Sequence, residues 1–352
     1  MLQNFSLVQI ALAIFGIGFL IAFHELGHYA AARLLGMRVL RYSLGFGKKL
    51  IGFRHQDIEY QIGMLPLGGF VQIAGMSSMD EEAKDDPKSY LNQPRWKRWL
   101  VLAAGPAFNY IAAVALFFAF FIGWPSPIDQ PSIELIEVVQ GSAGAAAGLQ
   151  RGEFITAING APIGEESSFR TAITASKGAP ITMTVLNTAG AAPVSRDVVV
   201  TPAAVDGGYK VGVSPQTRWP AAGVLATLDA ALGTTVTTSI GTLNALKGLV
   251  MREPGVDVGG PVAIVASMKD QIAHGLRFYV HILAVLSVSL GVFNLLPVPG
   301  LDGIKMLWLT LEGIARRDIK PKLQEVINVV GTLLLLVIMA LISVRDGIRL
   351  FS

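Results

Sequence analysis

The sequence contains no cysteine, which excludes disulfides and thiolate metal ligands and leaves the redox compartment open. It is also poor in charge. Only 15% of its 352 residues are Asp, Glu, Lys or Arg, while 52% are hydrophobic. With a mean hydropathy of +0.54, that balance excludes an ordinary soluble enzyme. Charge is missing altogether from four stretches near or above the length that crosses a bilayer, Phe5–Phe23, Trp99–Trp124, Ile282–Leu301 and Val326–Val344. The first lacks a basic leader segment and runs straight into polar residues, so it reads as a retained span rather than a cleaved signal.

The isoelectric point near 9.1 does not point to nucleic acid. The Lys and Arg residues cluster in loops beside the spans, the pattern that orients membrane proteins. Residues 33–98 hold eleven of them, and Arg316, Arg317, Lys320 and Lys322 follow the third span. Both loops are expected in the cytoplasm, with the termini and residues 125–275 on the other side. Residues 40–75 alternate apolar and polar between glycines, which predicts short strands or hairpins close to the membrane. The stretch Ser77–Pro94 is acidic and polar, with the composition of a flexible loop. Small apolar and Thr residues at helical spacing over 220–252 predict a helix lying against the membrane surface.

Against this background His24-Glu25-Leu26-Gly27-His28 stands out at the inner end of the first span. On a helix, positions i and i+4 share a face, so His24 and His28 can grip one metal ion. Glu25 then stands beside the ion, placed to act on a water there. Ionisable groups at membrane depth are costly and mark function. A catalytic zinc takes three protein ligands and one open position. Counted inward along the third span, Asp302 arrives at a depth similar to the two histidines and is the carboxylate available there. It follows Asn294-Leu295-Leu296-Pro297-Val298-Pro299-Gly300-Leu301, where the prolines must interrupt the helix. Unwound backbone at membrane depth is tolerated where it lines a cavity. Asn294 could face substrate or hydrogen-bond a neighbouring helix.

The run Gly141-Ser142-Ala143-Gly144 through Leu149-Gln150-Arg151-Gly152-Glu153-Phe154-Ile155 to Ile158-Asn159-Gly160 resembles the core of a bacterial PDZ domain, with Gly144 and Glu153 at its usual proline and aspartate. Such domains bind extended peptides at a sheet edge, often by a terminal carboxylate. Taken with H-E-x-G-H, these motifs occur in order along nearly the whole chain: Gly45-Phe46-Gly47, Leu65-Pro66-Leu67-Gly68-Gly69-Phe70-Val71, Gly105-Pro106-x-x-Asn109, Gly260-Pro261 and N-x-x-P-x-P-x-L-D-G. On these residues the chain resembles the bacterial site-2 proteases of the regulator-of-sigma-E type, intramembrane zinc metalloproteases. The sequence departs from that pattern at Ile304 and Lys305, where the family often has a second glycine, and it has room for one PDZ domain where some relatives carry two.

The resemblance implies an α-helical multi-pass membrane protein with a membrane-associated β-hairpin region and one inserted extracytoplasmic PDZ domain. Its segments would be 1–125, a first membrane half, 126–215, the PDZ domain, 216–275, a helical linker, and 276–352, a second membrane half. It implies His24, His28 and Asp302 as zinc ligands and Glu25 as the catalytic residue. Asn294, Pro297, Pro299, Gly45, Phe46 and Gly47 would contact substrate. The expected reaction is hydrolysis within the transmembrane segment of a single-span protein in the bacterial inner membrane. An anti-sigma factor already cut on its outer side and remnant signal peptides are the candidate substrates. The expected partners are that substrate, a peptide terminus at the PDZ domain and the lipid bilayer, with no nucleic acid. A silent scaffold would need none of the four polar residues, and a metal transporter would offer polar groups along a path rather than one cluster.

Overall fold

The computed structural model describes residues 7–76, 85–128, 130–188, 193–205, 208–251 and 260–351, so much of the acidic stretch after Ser77 lies outside the described residues. The chain divides into two units, one of Met1–Phe117, Thr234–Asn244 and Val258–Ser352, the other of Phe118–Gly233 and Ala245–Asp257.

Among the described residues four helices are long and apolar enough to cross a membrane. The first, α1 (Leu7–Leu34), continues past the apolar run and carries the whole H-E-x-x-H segment. The second, α2 (Arg95–Gly123), contains Pro106 in its interior. The others are α7 (Leu276–Leu295) and α9 (Pro321–Phe351). On α9 Val330, Leu333, Leu334, Val337 and Leu341 are all more than half exposed. A helix apolar around its circumference suits hydrocarbon rather than water.

The uncharged third stretch is broken where its prolines predict. Helix α7 stops at Leu295, short of Leu301. Pro297 and Pro299 explain this, since each removes a backbone donor and restricts the residue before it. The chain re-enters a helix at Asp302, the first residue of α8 (Asp302–Ala315), so the basic residues from Arg316 onward follow α8 rather than the span. Gly303 makes that return possible: a Cβ there would strike the Leu295 and Leu296 carbonyl oxygens. Helix α6 (Pro261–Ala273), within the segment expected to be a helical linker, packs Met268 with Ala13, Leu20, Tyr279 and Leu283 of α1 and α7.

After α1 come two long strands, β1 (Val39–His55) and β2 (Ile58–Ile73). Their register shows that each folds back and serves as two. Residues 39–44 pair with 69–73 on one side and with 58–62 on the other, and 58–62 also pair with 51–55. The result is a four-stranded mixed sheet in the order 69–73, 39–44, 58–62, 51–55, with the two outer pairs antiparallel and the central pair, 41–44 beside 59–62, running parallel. The segment 69–73 is an edge, paired on one side alone among the described residues. Tyr42 anchors the sheet to α1 by donating to Ala22 O at 2.7 Å, and Tyr29 meets Tyr60 through their hydroxyls at 2.7 Å.

The second unit holds a six-stranded antiparallel sheet built from β3 (Ser132–Val138), β4 (Phe154–Ile158), β5 (Ala161–Pro162), β6 (Ile181–Asn187), β7 (Val194–Val200) and β10 (Val213–Arg218). Its order is β10-β3-β4-β6-β7, with β5 on β4. Period-2 alternation buries Ile181, Met183 and Val185, and α4 (Glu166–Ala175) adds Phe169 and Ile173 to that core. The short helix α3 (Ala143–Ala146) is capped by Ser142, and the small hairpin of β8 (Ala203–Val205) and β9 (Gly208–Lys210) lies beside the sheet in sequence. Arg218 makes a buried ion pair with Glu134 and donates to the carbonyls of Trp124 and Pro125 at 2.9 and 3.0 Å, tying β10 to the chain just past α2. The expected helix over 220–252 is α5 (Val224–Val250).

Candidate metal centre

The first unit brings His24, His28 and Asp302 together. The three residues are 9%, 6% and 8% exposed. His24 Nε2 and His28 Nε2 lie 3.2 and 3.1 Å from Asp302 Oδ2 and 3.2 Å from each other. Three such atoms in so small a triangle need a shared proton or a cation among them. Ligands of a tetrahedral ion at ~2.0 Å stand ~3.3 Å apart, so this triangle has the dimensions of a zinc site. The donor set, two imidazoles and a carboxylate, is that of catalytic zinc with one open position. Among the described residues no other cluster of His, Asp and Glu has this convergence.

Helix α2 forms the back of the site. Gly105 lies so close to the imidazoles that a Cβ there would overlap both rings. Gly27 of α1 does the same service one helix over, where a Cβ would strike the Ala104 carbonyl. The two glycines allow α1 and α2 to touch backbone to backbone at the level of the histidines. Near Pro106, whose missing N–H leaves the Leu102 carbonyl without its helical donor, the Val101 carbonyl accepts from His28 Nδ1 at 2.8 Å. That bond fixes the His28 tautomer with its Nε2 lone pair directed at the triangle. On His24 the corresponding neighbour is Asn109, 3.1 Å from Nδ1 and fully buried.

Glu25 is on the same turn of α1 and faces a cavity of about 260 Å³. Phe70, Val71 and Ile73 of the edge strand, Met76, Asn294, Gly300, Leu301 and Lys305 line it together with the three ligand-type residues. Gly69 backs Glu25: a Cβ there would stand 3.3 Å from Glu25 Cγ and 2.9 Å from Ser43 O. Burial, and then the Glu25 charge, push the Tyr42 hydroxyl up to about 12.

Of the residues expected at the substrate, Asn294 lines the cavity, although its Nδ2 donates to Leu290 O of its own helix at 3.0 Å. Pro297, Pro299, Gly45, Phe46 and Gly47 do not line it. Pro299 sits where a side chain on Gly331 of α9 would collide, and the Phe46 ring stacks on Phe70 at 6.0 Å, so its reach to the cavity is indirect. The sequence reading missed Val101, Gly105 and Asn109 as parts of the site. The Gly-Pro-x-x-Asn motif held the signal, but nothing local in it names the imidazoles as its contacts.

The profile of peptidase family M50 matches residues 12–338. A protein of Clostridium perfringens named as a candidate zinc metalloprotease is 31% identical over 346 residues, covering 96% of this chain and 98% of its own length. A Rickettsia conorii protein with the same kind of name is 30% identical over 355 residues, with 96% and 97% covered. A Ralstonia nicotianae relative, 26% identical, aligns over 455 positions, more than the length of this chain, and so carries inserted sequence. The matched span reaches from the histidine helix through α8 into the last apolar helix, and the chain belongs to peptidase family M50.

Proposed function

We propose that this protein cuts a peptide bond inside the transmembrane segment of a single-span membrane protein, with His24, His28 and Asp302 holding zinc and Glu25 moving the proton. As a member of peptidase family M50 with relatives named for zinc metalloprotease activity, the chain is a zinc metalloprotease. The observation that carries the residue assignment is the triangle of Nε2, Nε2 and Oδ2 atoms at 3.1–3.2 Å beside Glu25. Zinc bound there supplies Lewis-acid polarisation of the scissile carbonyl and lowers the pKa of an attacking water toward ~7. Glu25 accepts the proton of that water and delivers it to the leaving amine.

The edge strand 69–73 supports a way of presenting substrate. A transmembrane substrate arrives as a helix whose carbonyls are already hydrogen-bonded, so the cut segment must unwind. Phe70 and Val71 line the cavity and belong to the strand 69–73, which is paired on one side alone among the described residues. An unwound segment added to that edge would recover backbone hydrogen bonds while its carbonyl meets the metal. Gly45–Gly47 and the Phe46–Phe70 stack would steady this edge from behind.

The six-stranded sheet, with the PDZ-like run on α3 and β4, is read as an extracytoplasmic PDZ domain that screens substrates by binding a new terminus or excluding bulky ones. The basic loops favour a bacterial inner-membrane location with the metal centre toward the cytoplasm. A substrate already trimmed on its outer side, such as an anti-sigma factor, or a remnant signal peptide fits this arrangement. The segments 1–125, 126–215, 216–275 and 276–352 then serve as histidine half, filter, linker and aspartate half. The test is cleavage of a purified single-span substrate in detergent, with zinc counted per chain. Products cut within the span support the reading; a protein that carries zinc and cuts only water-soluble peptides contradicts it.

A further inference from the structure

We propose that Asn109 is a positioning residue that holds His24 in the tautomer required of a metal ligand, by accepting the Nδ1 proton through its side-chain oxygen. The inference rests on the zinc-site reading above. If His24 binds through Nε2, that nitrogen needs its lone pair, so the ring proton must be on Nδ1 and must find an acceptor. For His28 the Val101 carbonyl performs this task at 2.8 Å. For His24 the sole side chain within hydrogen-bond distance of Nδ1 among the described residues is the Asn109 amide, at 3.1 Å.

The amide is turned with Nδ2 toward His24, and Oδ1 is buried without a partner. Nδ2 can only donate, which would place the ring proton on Nε2, inside the triangle and in the way of the metal. A half-turn about χ2 exchanges the two atoms and gives Nδ1–H its acceptor. A metal on Nε2 selects the tautomer with the proton on Nδ1, and of the two amide atoms only Oδ1 can accept it.

The residue is held as a fixed bracket. Asn109 is 0% exposed, and its backbone carbonyl accepts from Ser287 Oγ of α7 at 2.8 Å, with Ser287 also fully buried. On the same helix Gly291 leaves room for it, since a Cβ there would lie 3.5 Å from Asn109 Cβ and 3.0 Å from the Tyr110 ring. Helices α2 and α7 together therefore aim this amide at His24. Outer partners of metal histidines fix ring orientation and raise ligand basicity, and their removal typically costs about 10- to 100-fold in affinity.

The experiment compares wild type, Asn109→Leu and Asn109→Asp as purified full-length protein in detergent. Zinc affinity is measured by competition with a chromophoric chelator, and folding by thermal melting. Leu keeps the volume and removes the acceptor, so zinc should bind about 10- to 100-fold more weakly. Asp keeps two acceptors and has no donor when ionised, so it should retain zinc at least as tightly as wild type. A residue serving only to fill space would not separate the two. If Asn109→Leu fails to fold, Asn109→Asp decides alone, because an essential Nδ2 donor predicts loss of zinc where an acceptor predicts retention. Wild-type affinity in Asn109→Leu, or loss of zinc in a folded Asn109→Asp, overturns this role while leaving the zinc site standing. A wild-type chain that takes up no stoichiometric zinc overturns the site itself and this inference with it.

Discussion

Gly105→Ala adds one methyl group at the contact between α2 and the two histidines. Its carbon would fall 2.7 Å from His24 Cε1 and closer still to His28, whereas non-bonded carbons settle at ~3.5–4.0 Å. The rings or the helix must therefore retreat by about 1 Å. Stability changes little, because two effects oppose each other. Overpacking costs ~1–3 kcal/mol, while Ala in place of Gly in a helix interior returns ~1 kcal/mol. Function changes much more, since a displacement of ~1 Å at a reacting centre can cost ~100-fold in rate. The expected variant is folded, holds zinc more weakly and cleaves at least about 100-fold more slowly. Gly18→Ala, on the histidine helix with nothing within 4 Å of the added carbon, is the control and should behave as wild type. Initial cleavage rates, chelator competition and melting temperature of the three proteins decide the matter. Wild-type zinc affinity and rate in Gly105→Ala would refute the idea that this glycine sets the position of the imidazoles.

Other outcomes follow from the same physics. Arg218→Met removes the guanidinium from the buried Glu134 carboxylate and should lower the stability of the six-stranded sheet by ~3–5 kcal/mol, with Arg218→Met/Glu134→Leu recovering most of it in thermal melts. One Gly or Pro moved through a substrate span weakens the helix by ~1 or ~3 kcal/mol relative to Ala and should accelerate cleavage near the cut, so rates indifferent to helix strength would show that unwinding does not limit turnover. A reporter fused at Lys84 should report the cytoplasm and one inserted at Ala191 the opposite side; both positions lie outside the described residues, and the reverse result would undo the orientation drawn from the basic loops.

Much of the first unit was legible in the sequence because its signals are local. Apolar length marks a span, i,i+4 histidines mark a shared helical face, and paired prolines mark a break. Those features pointed to α1, to the end of α7 and to Asp302 beyond it. The sequence did not reveal where the third helix resumes, which depends on Gly303 packing under the Leu295 and Leu296 carbonyls. Nor did the alternating run over 40–75 disclose that two long strands each fold back to make four, because period-2 alternation says which face a residue takes and not which neighbour it pairs with. Val101, Gly105 and Asn109 escaped for a related reason. Each acts on a histidine 73 or more positions away, through a carbonyl, an absent side chain and an amide, and none of these leaves a periodic trace. Gly45, Phe46 and Gly47 show the converse: a motif can stand close to a site and still reach it only through another ring, here Phe70.

The most direct test of the account separates metal binding from proton transfer. Glu25 faces the cavity beside the ligand triangle without belonging to it. Glu25→Gln should therefore fold and hold one zinc per chain as tightly as wild type, yet release no product from a single-span substrate in detergent. His24→Ala and Asp302→Ala, assayed alongside, should lose the zinc as well. Zinc-loaded Glu25→Gln cleaving at a near-wild-type rate would contradict the assignment of Glu25 as the proton carrier, and full zinc retention in both ligand variants would contradict the metal centre.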